Sequence, residues 1–158
     1  MRRNSTVFWL LGSLALYVLM TPWAQAQTPG LWRYTIETDQ TRLPADMRVN
    51  FPTVRFERCL SPEHFADGRA FSVQPTPGSE PRCRVLSFER TRGNPRDRVQ
   101  LRFDCDEGRS VAGEGRGEVA EQSFTLVHET RLNPVVGGVE QLTQTVRGVY
   151  LGACPAAR

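Results

Sequence analysis

The stretch from Arg98 to Cys154 constrains this chain most, because it reads as four consecutive strands of alternating polarity with a cysteine near each end. In the first, Val99, Leu101 and Phe103 take the odd positions while Arg98, Gln100, Arg102 and Asp104 take the even ones. That is the period of two of a half-buried strand. After a turn at Asp106-Glu107-Gly108, Val111, Gly113, Gly115, Gly117 and Val119 share a face opposite Glu114, Arg116 and Glu118. The third strand groups Phe124, Leu126, His128 and Leu132 against Ser123, Thr125, Glu129 and Arg131. Asn133-Pro134 and Gly137-Gly138 punctuate a turn. The last strand, Val139 to Tyr150, sets Leu142, Val146 and Tyr150 on one face. Connections this short join antiparallel neighbours, so the four strands form a meander.

Upstream, Pro29-Gly30 opens a strand in which Trp32, Tyr34 and Ile36 share a face. Residues 39–52 hold two prolines and no sustained period, and read as a loop. A second strand, Thr53 to Leu60, turns Val54 and Phe56 one way and Arg55, Glu57 and Cys59 the other. Ser61-Pro62-Glu63 has the cap and first-turn proline of a helix start, and Gly68 stops that helix after about two turns. Pro75, Pro77 and Pro81 with Gly78 dictate a loop. A third strand, Arg84 to Arg90, places Leu86 and Phe88 on one face, and Gly93-Asn94-Pro95 leads into the meander. The count is seven strands and one short helix. The chain is therefore all-β and antiparallel, built as a strongly curved sheet or a partly closed barrel.

The chain begins with Arg2 and Arg3, an apolar run from Val7 to Met20, and Ala24-Gln25-Ala26. This is the three-part build of a secretory signal, with cleavage expected after Ala26. The run is about 14 residues where a membrane span needs ~20, and no cysteine follows it before Cys59 to carry a lipid. Residues 27–158 then form one domain. Removing residues 1–26 takes away two arginines and no acids, lowering the formal charge from +3 to +1. A near-neutral chain with interspersed signs lacks the clustered basic face that nucleic acid requires.

All four cysteines, Cys59, Cys83, Cys105 and Cys154, follow the signal. An even number in an exported chain predicts two disulfides, and with no Cys-x-x-Cys among them no metal site or redox motif is indicated. Strand parity pairs Cys59 with Cys83, both out of phase with their strands' apolar residues, and Cys105 with Cys154, both in phase. His64 reads as a solvated or capping histidine. His128 falls on an apolar face, where it is either a satisfied core histidine or the lining of a cavity, and the first reading is preferred because no carboxylate or serine accompanies it at fixed spacing. Gly113-Glu114-Gly115-Arg116-Gly117 lacks the ending of a phosphate loop and fits a strand whose glycines make room for neighbouring side chains or for a ligand.

The opening Pro29-Gly30-Leu31-Trp32, the Cys59-Leu60-Ser61-Pro62-Glu63 junction, the spaced Cys83 and Cys105 and the terminal Arg147-Gly148-Val149-Tyr150-Leu151-Gly152-Ala153-Cys154 together resemble a bacterial exported family, domain of unknown function 3617. The resemblance implies a small periplasmic β-rich protein of a Gram-negative bacterium and supplies no activity, cofactor or catalytic residue. From the residues themselves, the expectation is a monomeric, non-enzymatic module that binds an apolar or amphipathic ligand, or an envelope partner. Trp32, Tyr34, Phe103, Gly115, Phe124 and His128 are its candidate ligand-facing residues. The alternatives are a structural envelope protein that offers an edge strand, and a hydrolase built on His128.

Overall fold

The computed structural model describes residues 27–46, 48, 51–72, 83–106 and 111–156. The signal-like segment 1–26, the proline-rich stretch 73–82 and the turn residues Glu107-Gly108 lie outside them. Seven strands form one antiparallel sheet: β1 (Gly30–Thr38), β2 (Val54–Leu60), β3 (Cys83–Thr91), β4 (Asp97–Cys105), β5 (Val111–Ala120), β6 (Ser123–Val136) and β7 (Val139–Gly152). A single short helix, α1 (Pro62–Ala66), follows β2, and a 3-10 turn, Gln40–Arg42, sits in the β1–β2 connection. The spatial order is β2-β1-β7-β6-β5-β4-β3, so the meander from β3 to β7 is extended by β1, which pairs with β7, and then by β2. Among the described residues β2 and β3 do not pair, and the sheet is not closed by hydrogen bonds.

One face of this sheet is apolar across all its strands. Trp32, Tyr34 and Ile36 of β1, Val146 of β7, Phe124 and Leu126 of β6, Val119 of β5, and Val99, Leu101 and Phe103 of β4 are all buried there. The alternation read in the sequence thus fixes which face is core. The chain between β2 and β3 covers that face with Phe65, Ala70 and Phe71. Ring-to-ring steps of 5.3 Å from Trp32 to Phe65, 6.1 Å to Phe71 and 5.7 Å to Phe88 lead from β1 to β3. In a flat sheet these strands would be five spacings of ~4.8 Å apart, about 24 Å, so the three steps fall short and the sheet bends strongly around its cover.

Two expectations fail at local irregularities. Leu86 and Phe88 do not share a face: the register shifts between Val85 and Ser87, and Leu86 is 53% exposed. A bulge adds one residue and reverses the phase of everything before it. Cys83 therefore comes into phase with Phe88 and lies directly opposite Cys105, with which it forms a disulfide at a Cα separation of 3.9 Å. The other bond joins Cys59 to Cys154 at 5.6 Å. The parity pairing of Cys59 with Cys83 and of Cys105 with Cys154 is thus wrong on both counts. Leu31 of β1 faces Cys59 on one side and Gly152 on the other, and Gly152 takes a φ of +141°, where strand parity ends. The tail beyond it crosses the end of β1 to reach β2.

The β6–β7 turn is also shorter than its punctuation implied. β6 runs through Asn133-Pro134, and only Gly137-Gly138, with φ of +56° and +82°, make the turn. Proline is tolerated because β5 begins opposite Leu132 and the β6–β7 ladder is interrupted between Arg131 and Val136, so no strand partner among the described residues needs its missing N–H.

Non-reducing peptide mapping is expected to recover Cys59–Cys154 and Cys83–Cys105 and no other link. On loop length alone, the double serine variant that opens the 95-residue span loses about 5 kcal/mol and the one that opens the 22-residue span about 3 kcal/mol, measured by denaturant unfolding. Equal losses would contradict that ranking.

Candidate functional site

The aromatic face gathers most of the residues marked by the sequence, but it faces the chain's own cover. Phe124 stacks on Trp32 at 5.6 Å and meets Phe71 edge-on at 5.2 Å, while Tyr34 stacks on Phe56 of β2 at 4.9 Å. The Trp32 indole donates to the Thr28 carbonyl at 2.9 Å, and the Tyr34 hydroxyl donates to the Ala70 carbonyl at 2.9 Å. Buried aromatic side chains with polar tips need such partners. Burial raises the Tyr34 pKa, opposed by the nearby charge of Arg58, so this hydroxyl stays a donor. Trp32, Tyr34, Phe103, Gly115, Phe124 and His128 are all buried.

His128 lies under this cover on β6, opposite Gly115 of β5 and Gln144 of β7. A Cβ on Gly115 would meet Leu101 Cδ2 at 2.6 Å and His128 Cδ2 at 2.7 Å, so the glycine is the hollow that the imidazole fills. The Phe103 ring closes another side at 5.2 Å. His128 is fully buried, and neither Nδ1 nor Nε2 has a hydrogen-bond partner among the described residues. Burial lowers its pKa to about 4, and the Phe71 backbone, near enough to favour the protonated ring though not in well-formed hydrogen-bond geometry with it, works in the opposite direction. The ring is therefore neutral at pH 7. It also differs from the satisfied core histidine expected. His64, by contrast, caps its helix, accepting the Ser61 N–H on Nδ1 at 3.0 Å.

A groove of about 460 Å3 lies elsewhere, bordered by the β1–β2 connection at Asp39, Arg42 and Leu43 and by segments of β3 to β7. Phe103, Thr130 and Leu142 border it too, but their side chains are buried. Its solvent-facing walls are Arg102, Glu114, Glu129, Arg131 and Gln141, with Leu86 at the β3 edge. The lining thus draws on both phases of the strands: the exposed charged residues, and the inward row Phe103, Gly113, Thr130 and Leu142 with Leu43 packed in the same cluster as Leu142. Cross-strand pairing sets Arg102 beside Glu114, and Glu114 beside Glu129. The ion pairs here, Arg102–Glu114 at 3.5 Å, Arg116–Glu129 at 2.9 Å and Arg131–Glu140 at 3.7 Å, are exposed and worth little to stability. Hydrogen bonds from the Thr41 side chain and backbone hold the Asp39 carboxyl below its ordinary pKa.

These groove residues read in the sequence only as the wet faces of strands. The signal that would have found them is register, which aligns Arg102, Glu114 and Glu129 across β4, β5 and β6. Among the described residues no group of three or more His, Cys, Asp or Glu could hold a metal ion.

Residues 27–154 match the family described as protein of unknown function (DUF3617). The chain belongs to that family. No curated protein and no solved structure matches it. In this DUF3617 member the matched span runs from the first described residue to the cysteine that closes the Cys59–Cys154 bond. Gly115→Ala is expected to destabilise the protein by about 1–3 kcal/mol through overpacking against Leu101 and His128, seen as a lower thermal midpoint. An unchanged midpoint would show that the hollow is not filled as described.

Proposed function

We propose that this protein is an exported, periplasmic, non-enzymatic module that binds an extended amphipathic segment of an envelope partner in the groove beside the β1–β2 connection. Export is supported by the Arg2-to-Ala26 pattern and by two disulfides, which persist in oxidising compartments. The observation that carries the binding reading is the groove itself. It is large enough for several side chains of a bound segment, and it is walled by both charge signs with Leu86 as an apolar foot. The aromatic face, by contrast, is occupied by Phe65 and Phe71. The non-enzymatic reading is supported by the enclosure of His128, since a general acid or base must reach the proton it moves.

A structural role through an unpaired edge strand has one observation in its favour, the β3 edge beside the exposed Leu86. The two readings separate by site. A photo-crosslinking amino acid at Gln141, in the groove, is expected to give a discrete adduct in cells, while one at Thr125 on the same outer face gives none. Ala112→Trp, which places a large ring in the groove lining, is expected to abolish the Gln141 adduct without lowering stability by more than about 1 kcal/mol. An adduct that survives Ala112→Trp, or crosslinking from β3 positions alone, would overturn the groove reading.

A further inference from the structure

The two disulfides sit in opposite surroundings. Cys105 is fully buried in the aromatic core, and Cys83 is half-buried and packed against it. Cys59 and Cys154 are both exposed, and neither belongs to a core cluster of the described residues. Cys59 lies on the edge strand β2, which pairs with β1 alone. Cys154 lies on the tail after Gly152, the last residue of β7 to pair with β1. Exchange requires a thiolate to approach a sulfur directly, so access separates the two bonds before any other property does.

The exposed bond also has apolar surface beside it. Val149 is 52% exposed and stands opposite Arg33, and Leu151 is 40% exposed where the β1–β7 register shifts between Leu31 and Trp32. Leu31 itself pairs with Cys59 on one side and Gly152 on the other. Glu57, the one acid of β2, is tied to Arg33 at 2.9 Å, so an incoming thiolate meets no unpaired carboxylate on that strand. This end of the sheet shares no residue with the lining of the groove.

We propose that Cys59–Cys154 is a thiol-exchange site for a partner protein carrying a reactive dithiol, while Cys83–Cys105 is a structural bond that takes no part. The partner's thiolate attacks Cys154 Sγ. A sulfur–sulfur bond forms between partner and tail, the Cys59–Cys154 bond breaks, and Cys59 leaves as a thiolate that takes up a proton. The partner's second thiolate then attacks its own half of the mixed disulfide and expels Cys154. The partner is thereby oxidised by two electrons to its disulfide, and this chain is reduced to two thiols; the reverse steps form the bond. Cys154 is the attacked side because its tail, unpaired past Gly152, carries the partner clear of the sheet, whereas Cys59 stays in the β1–β2 ladder opposite Leu31. Val149 and Leu151 give the partner an apolar footing beside the reacting sulfur.

The test mixes the oxidised, folded wild-type chain with reduced thioredoxin whose second cysteine is replaced by serine, which traps the mixed disulfide, and maps the adduct by peptide mass spectrometry. A single adduct on Cys154 is expected. In parallel, short pulses of dithiothreitol followed by iodoacetamide are expected to label Cys59 and Cys154 at least about tenfold faster than Cys83 and Cys105. The earliest labelled species then carries the Cys83–Cys105 bond intact. Absence of any adduct, an adduct on Cys83 or Cys105, or equal labelling of both bonds, the mark of attack only after global unfolding, would overturn the proposal. An adduct confined to Cys59 would overturn the assignment of the tail as the attacked side.

Discussion

An open sheet of seven strands leaves its apolar face to be covered, and here the cover is one short stretch of the same chain. Phe65 and Phe71 reach Trp32, Phe124 and Phe88, on three different strands, and the Tyr34 hydroxyl is anchored to the Ala70 carbonyl. Each aromatic pair adds ~0.5–1.5 kcal/mol beyond the area it buries. The bend of the sheet follows from this contact, because a flat sheet could not bring β1 and β3 to the same two phenylalanines.

The cover explains why the disulfides lie where they do. Cys83–Cys105 ties the edge strand β3 to β4, directly beyond the stretch that emerges from the cover, and Cys59–Cys154 ties β2, which enters it, to the tail that follows β7. Among the described residues the two edge strands are thus each fastened covalently, β3 to β4 and β2 to the tail beyond β7. An open sheet without such ties would depend for its edges on the cover alone.

The strands were legible because alternation is a local property. Val99, Leu101 and Phe103, or Phe124, Leu126 and His128, declare their face without reference to the rest of the chain. The order of strands was not legible beyond the meander, since the pairing of β1 with β7 depends on partners more than a hundred residues apart. Parity misleads for the disulfides for two physical reasons: the extra residue at Leu86 reverses the phase of the first part of β3 and carries Cys83 to the core face, and the turn at Gly152 ends strand parity before Cys154. The same limit applies to the site. His128 was visible as an inward histidine, but its enclosure by Gly115, Leu101 and Phe103 is a fact of tertiary packing. The charged groove was invisible because Arg102, Glu114, Glu129 and Arg131 look like any solvated strand face until the register aligns them.

The account rests on Phe71 lying against the aromatic face at neutral pH, and proton NMR of the rings tests this directly. Cross-relaxation from the Phe71 ring to both Phe124 and Phe88, with a slowly exchanging Trp32 indole N–H, is the predicted result at pH 7. A Phe71 ring with no contact to either strand, together with a Trp32 indole proton that exchanges as fast as in an unfolded chain, would show an uncovered face and contradict it.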